Sequence, residues 1–175
     1  MFYGDYTDAP ASSLFAFGHG LSYTTFAYSD LAVQAKSTTE QIEVSIEVHN
    51  SGERAGDEVV QLYFRDEVAS VARPNRMLLG FTRLSLIPGQ ARSVTFTVHP
   101  SRLAFYDPAM RFVTEPGAFT FSIGASSVDI RAEKTIELAG EVAEYQQREI
   151  VATKVVKSLY HTNFTGDKKV HDSKT

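Results

Sequence analysis

The side chains able to do chemistry in this 175-residue chain are few and scattered. Cysteine is absent, which removes disulfide frameworks, thiolate metal sites and a cysteine nucleophile together. The five histidines, His19, His49, His99, His161 and His171, show neither an i, i+4 pair nor H-x-H spacing, so they do not read as a metal site. Hydrolysis by paired carboxylates needs two acids a few ångströms apart, one with its pKa raised by burial. Asp57-Glu58 and Asp66-Glu67 flank a segment that reads as a strand and Asp129 starts another, and the expectation is that these acids lie in solvent at strand ends. Ser22, Ser12-Ser13 and Ser126-Ser127 lack the G-x-S-x-G turn of a serine nucleophile. The run FGHGLSY, Phe17 to Tyr23, places two glycines around a histidine. An anion-cradling loop would follow a strand and open a helix, whereas β-type residues follow here, so a tight aromatic turn is the stronger reading. Asn163-Phe164-Thr165 is an N-x-T glycosylation triplet, which matters only in a secreted eukaryotic chain. These residues by themselves point to no reaction, no metal and no cofactor.

Composition narrows the class. With 43% hydrophobic and 22% charged residues the chain is a globular protein, and a domain of this size removes roughly 70% of its unfolded surface from water without a covalent staple. A net charge of -4 argues against nucleic acid as a partner, because neutralising phosphates takes clustered Lys and Arg. No run approaches the ~18 apolar residues needed to cross a bilayer, and Met1 to Pro10 lacks the basic and apolar pattern of an export signal. The expectation is a soluble chain with its compartment left open.

The elements that must position these residues read as strands. In QIEVSIEVHN, Gln41 to Asn50, the apolar residues Ile42, Val44, Ile46 and Val48 alternate with polar ones, and a helix would scatter them round all sides. NSGERAG follows as a turn. EVVQLYFRD, Glu58 to Asp66, carries bulk on both faces and is expected to be a central strand. A short strand near Leu79, Phe81 and Leu84 precedes the turn Ile87-Pro88-Gly89-Gln90, and ARSVTFTVHP then alternates Val94, Phe96 and Val98 against Ser93, Thr95 and Thr97. The short pieces LAFYD and RFVTE, the strand AFTFSIG and the edge strand DIRAEKTIEL complete the series. About seven strands spaced roughly ten residues apart, without a convincing helix, predict an all-β, two-sheet antiparallel sandwich. Met1 to Tyr23 is a leader too aromatic for a solvated tail, with Phe2, Tyr3, Tyr6, Phe15, Phe17 and Tyr23. Beyond Glu141, EYQQREIVATKVVKSLYH reads equally as a short helix or an extended strand, and the last ten residues read as disordered.

Five blocks together resemble one family. LFAFGHGLSYTTFAYSDL (Leu14 to Leu31), VHNSGERAGDEVVQLYFRD (Val48 to Asp66), ASVARPNRMLLGFTRLSLIPGQ (Ala69 to Gln90), LAFYD (Leu103 to Asp107) and EPGAFTFSIGASSVDIR (Glu115 to Arg131) stand in the order and spacing of the C-terminal fibronectin type III-like domain of glycoside hydrolase family 3, the β-glucosidases and β-xylosidases. The resemblance spans Leu14 to Leu138, with Ala16 in place of a proline usual between the two phenylalanines. It implies an immunoglobulin/fibronectin type III-like β-sandwich. It also implies that the catalytic aspartate and acid/base residue belong to two preceding domains, so that this chain holds no catalytic residue. On that footing residues 1–23 are expected to be a linker from a catalytic domain, 24–139 the fibronectin type III-like domain, and 140–175 an unassigned, partly disordered extension. The expected role is a non-catalytic accessory domain that stabilises the catalytic domains of a parent glycosidase, its partners, and rims the substrate cleft. The alternatives are a carbohydrate-binding module or a cell-surface interaction module, and fold alone does not choose between them. Phe15, Phe17, His19 and Tyr23 are the candidate interdomain contacts, joined by Arg73 in the loop ASVARPNR. Pro74 pushes Arg73 towards an extended backbone, so its guanidinium is expected either to pair with an acid inside the domain or to point towards Phe15 and Phe17.

Overall fold

The computed structural model describes residues 13–157. Among these residues the chain forms eleven strands and one short 3-10 turn, Pro100–Arg102. The strands are β1 (Phe26–Gln34), β2 (Ile42–Asn50), β3 (Gly56–Asp66), β4 (Met77–Leu86), β5 (Ala91–Val98), β6 (Phe105–Tyr106), β7 (Phe112–Thr114), β8 (Gly117–Gly124), β9 (Ile130–Leu138), β10 (Ala143–Glu144) and β11 (Ala152–Lys157). One sheet runs β1-β2-β5-β11 and the facing sheet β4-β3-β8-β9, with a small third sheet β10-β7-β6. Every strand pairing is antiparallel, so the expected β-sandwich is the fold. No helix among the described residues is long and apolar enough to cross a membrane.

The core follows the period-two pattern. Ile42, Val44, Ile46 and Val48 of β2 and Val94, Phe96 and Val98 of β5 are buried, and they face Val60, Leu62 and Phe64 of β3 and Phe119, Phe121 and Ile123 of β8. Each such side chain contributes about 1.5–3 kcal/mol when fully buried, and these four strands fix the sandwich. β3 is central and β9 an edge, as the sequence predicts.

Two irregularities escape a reading by alternation. In β1 the pairing slips between Ser29 and Ala32, an extra residue opposite β2, and Asp30 takes the positive φ of 57° that the bulge requires. In β4, Leu79 is the extra residue opposite Leu62 and Tyr63, which lets Leu79 and Leu84 both be buried despite opposite parity while Phe81 points outward. Within the C-terminal segment left open between helix and strand, Ala152–Lys157 is a strand. β11 pairs with β5, and on the way to it Ala139 N donates to Lys36 O and the Tyr145 hydroxyl to Thr38 O. The domain's own sheet therefore includes residues from the segment that the sequence leaves unassigned.

Candidate functional site

Residues 16–19 of the leader are locked to the outer face of the β4-β3-β8-β9 sheet. His19 N donates to Ala16 O at 3.0 Å, closing a turn whose third residue, Gly18, has φ of 78°. Glycine is required twice over here, since a Cβ at this position would fall 2.0 Å from the Gln61 Oε1. Gln61 lies on the outward parity of β3 yet is buried. Its Nε2 donates to Gly18 O at 3.1 Å and Ala125 O at 2.6 Å, and its Oε1 accepts from the Tyr63 hydroxyl at 2.5 Å. Ser127 N adds a bond to Phe17 O at 2.9 Å. The backbone of the turn is thus satisfied inside the domain while its rings are not covered. Phe15 stacks on His19 with centroids 5.2 Å apart, Phe15 and Phe17 are each 65% exposed and Tyr23 92%. Between leader and sheet runs a groove of about 520 Å³ lined by Phe17, Leu21, Phe26, Val59 and Phe81, with Asp57, Glu58, Asp129 and Arg131 also on its walls.

Those acids differ from one another. Asp57 is exposed, and hydrogen bonds from Ser85 and Arg83 hold its carboxyl below the ordinary value. Burial pushes Glu58 above its ordinary value, against the pull of Tyr28 and Arg131. The guanidinium of Arg131 lies 5.9 Å from the centre of the Tyr28 ring and pairs with Asp129 at 2.7 Å. This cluster closes the seam where β1 meets β9.

Arg73 takes the internal course. Its guanidinium pairs with Asp66 at 2.9 Å, donates to Leu103 O at 2.8 Å and is flanked by the rings of Phe64 and Phe105 at 5.3 and 4.7 Å. Only 6% of the Arg73 side chain and 3% of the Asp66 side chain are exposed. The expectation that these acids lie in solvent at strand ends is therefore corrected for Asp66 and for Glu58: a loop folded over the sheet end covers one, and the β1–β9 seam covers the other. Asp129 keeps an exposed position, paired with Arg131, and Glu67 is half-buried beside Arg65 and Thr120.

Sequence reasoning missed Asn50, reading it only as a turn residue. It is buried, and its Nδ2 donates to Arg54 O and Leu86 O while its Oδ1 accepts from Thr24 Oγ1 and Gly52 N. Its backbone N donates to Gln90 O and its carbonyl accepts from Gly89 N. One side chain so ties the base of the leader, the β2–β3 turn and the end of β4. His99 caps the 3-10 turn and meets Tyr145 edge-on at 5.5 Å, while His49 is half-buried on β2. Among the described residues no group of three or more His, Cys, Asp or Glu could hold a metal ion. His161, His171 and the Asn163 triplet lie outside the described residues.

The fibronectin type III-like domain family matches residues 58–127. The chain is 44% identical over 135 residues to the β-glucosidase BoGH3A of Bacteroides ovatus, covering 75% of this chain and 18% of that protein. It is 45% identical over 129 residues to a β-xylosidase of Formosa agariphila, covering 71% and 17%. Among solved structures it superposes on a mutant β-glucosidase from Listeria innocua in complex with laminaribiose with a TM-score of 0.73, 30% identity and coverage of 82% of this chain and 20% of that one. The chain spans about a fifth of the length of the relatives it matches.

Proposed function

The chain belongs to the fibronectin type III-like domains of glycoside hydrolase family 3, and from that premise we propose that it is a non-catalytic accessory domain that docks against the other domains of a parent β-glycosidase through its leader face. The observation that carries this reading is the Gly18–Gln61 lock: the turn is held rigidly by buried hydrogen bonds, yet Phe15, Phe17, Leu21 and Tyr23 are left uncovered around an apolar groove. Exposed apolar surface gathered on one preorganised element marks an interface. The parent would act on β-linked glucosides or xylosides, as its relatives' names state of them. Of the acids singled out in the sequence, Asp66 is consumed by Arg73 and Asp129 by Arg131.

The test joins isolated chain and parent. Changing Phe15, Phe17 and Tyr23 each to Ser should leave the isolated chain's stability within about 0.5 kcal/mol, since exposed positions carry little folding energy. The same changes in the parent should lower its melting temperature and its turnover of aryl β-glucoside or β-xyloside. The isolated chain should not turn over either substrate. A parent indifferent to all three changes would remove the leader face as an interface.

A further inference from the structure

The sheet β1-β2-β5-β11 ends on a strand unlike its neighbours. β11 pairs with β5 over six residues, from Ala152↔Thr97 to Lys157↔Arg92. Residues 152 to 156 are nevertheless all exposed, and Val155 is 42% exposed although it stands opposite the buried Val94. β11 therefore supplies ladder hydrogen bonds and little buried apolar surface.

What it covers is distinctive. After Arg92, β5 has no charged residue, and its outward positions are Ser93, Thr95 and Thr97. In the facing sheet the uncharged strand β8 is covered in the same way by β9, which carries Arg131, Glu133, Lys134 and Glu137. The remaining edges protect themselves: β1 through its bulge and Asp30, β4 through the bulged Leu79 and Arg83. A flat, neutral, unbulged edge is a template for pairing with another chain, and charge, especially lysine, is a common way to blunt one. β11 places Lys154 on the edge.

We infer that β11 is a guard strand, and that when it lifts, the exposed edge of β5 pairs antiparallel with β5 of a second copy of this chain. The occupant follows from symmetry. β5 accepts antiparallel partners on both sides, so a two-fold axis can set it against itself with Ser93, Thr95 and Thr97 of each copy facing neutral residues and no like charges opposed. The guard is tethered by the Tyr145 hydroxyl on Thr38 O, Arg148 on Ala104 O and Glu149 N on Ser101 Oγ. That tether gives β11 a high effective concentration at β5, so the intact chain keeps its own strand in place.

Two measurements on the full chain test this. Hydrogen exchange should show β11 amides exchanging at least ~100-fold faster than the β2 amides on the other side of β5, as expected of a strand with little burial. The double change Lys154→Pro, Val155→Pro should break the ladder, because neighbouring residues direct their N–H groups to opposite sides and one proline must strike a pairing position. That variant should keep a cooperative melt and form dimers with rising concentration in sedimentation equilibrium, and added peptide ATKVVK should return it to monomer. A monomeric variant with an intact melt, loss of the cooperative melt, or β11 amides as protected as those of β2 would each overturn the guard role.

Discussion

The leader and the Arg73 loop both fasten to β3, one at Gln61 and the other at Asp66, and they are built in opposite ways. The Arg73 loop brings a charge inside and meets it with Asp66, the Leu103 carbonyl, the Met77 sulfur and two rings. Residues 17 and 18 of the leader settle their carbonyls against Ser127 and Gln61, and the rings of Phe15, Phe17 and Tyr23 stay outside. A loop that serves only its own domain closes its polar groups and hides its apolar ones. The leader closes the first and exposes the second, a difference that the proposed docking of this face would account for.

The largest effect that could break this contrast belongs to Arg73. Arg73→Ala leaves Asp66 buried and unpaired between strand and loop, and removing one partner of a buried pair costs about 3–5 kcal/mol. Arg73→Lys should recover only part of that: Nη1 alone makes both polar bonds, which an ammonium can copy, but the planar cation flanked by the Phe64 and Phe105 rings is lost. Urea titration of the isolated chain checks both, and a loss under 1 kcal/mol for Arg73→Ala would mean that the loop is not an internal pin.

How much of this was legible in the sequence depends on what kind of signal each region carries. β2, β3, β5 and β8 declare themselves by alternation because one face of each meets the core. β1 does not, since the bulge at Asp30 breaks its phase, and ATKVVK is too short and too exposed to carry a period. The rings of the leader are visible in composition, but their lock is not. Gln61 reads as a solvent-facing residue until the path of residues 15–20 over β3 is known. Asp66 is misread for the same reason: its partner is seven residues away along a loop whose course no local rule supplies. Asn50 looks like any turn asparagine, and only the convergence of β2, β4 and the leader base gives it six hydrogen bonds.

A smaller effect sharpens the leader half of the comparison. Gly18→Ala must adopt a φ of 78° and place a methyl carbon on the Gln61 amide. The isolated chain should lose about 1 kcal/mol, chiefly from backbone strain, because little else rests on the leader. The parent should lose more, since the rings of Phe15 and Phe17 would be turned out of register with their partner surface. Differential scanning calorimetry of both proteins reads the ratio, and equal losses would make the leader a feature of this domain alone.

The smallest effect is a pH slope, and it comes from Glu58 in the groove beneath the leader. Burial is the leading cause that holds its carboxyl above the ordinary value, with the Tyr28 hydroxyl and Arg131 pulling the other way. In the unfolded chain the group titrates near ~4.3. The folded state therefore binds this proton more tightly than the unfolded one, so the stability it contributes is fully present below the unfolded pKa and is lost as pH rises through the raised folded value. Denaturant titrations stepped upward across that window should show wild-type stability falling, and Glu58→Gln should flatten the fall. Asp66, which burial raises against the pull of Arg73, acts in the same direction, but it is common to both proteins and drops out of their difference. If the leader face docks in the parent, the groove is dried further and the slope steepens there. Matching slopes for wild type and Glu58→Gln in the isolated chain would mean that Glu58 is solvated and that the groove beneath the leader is open to water.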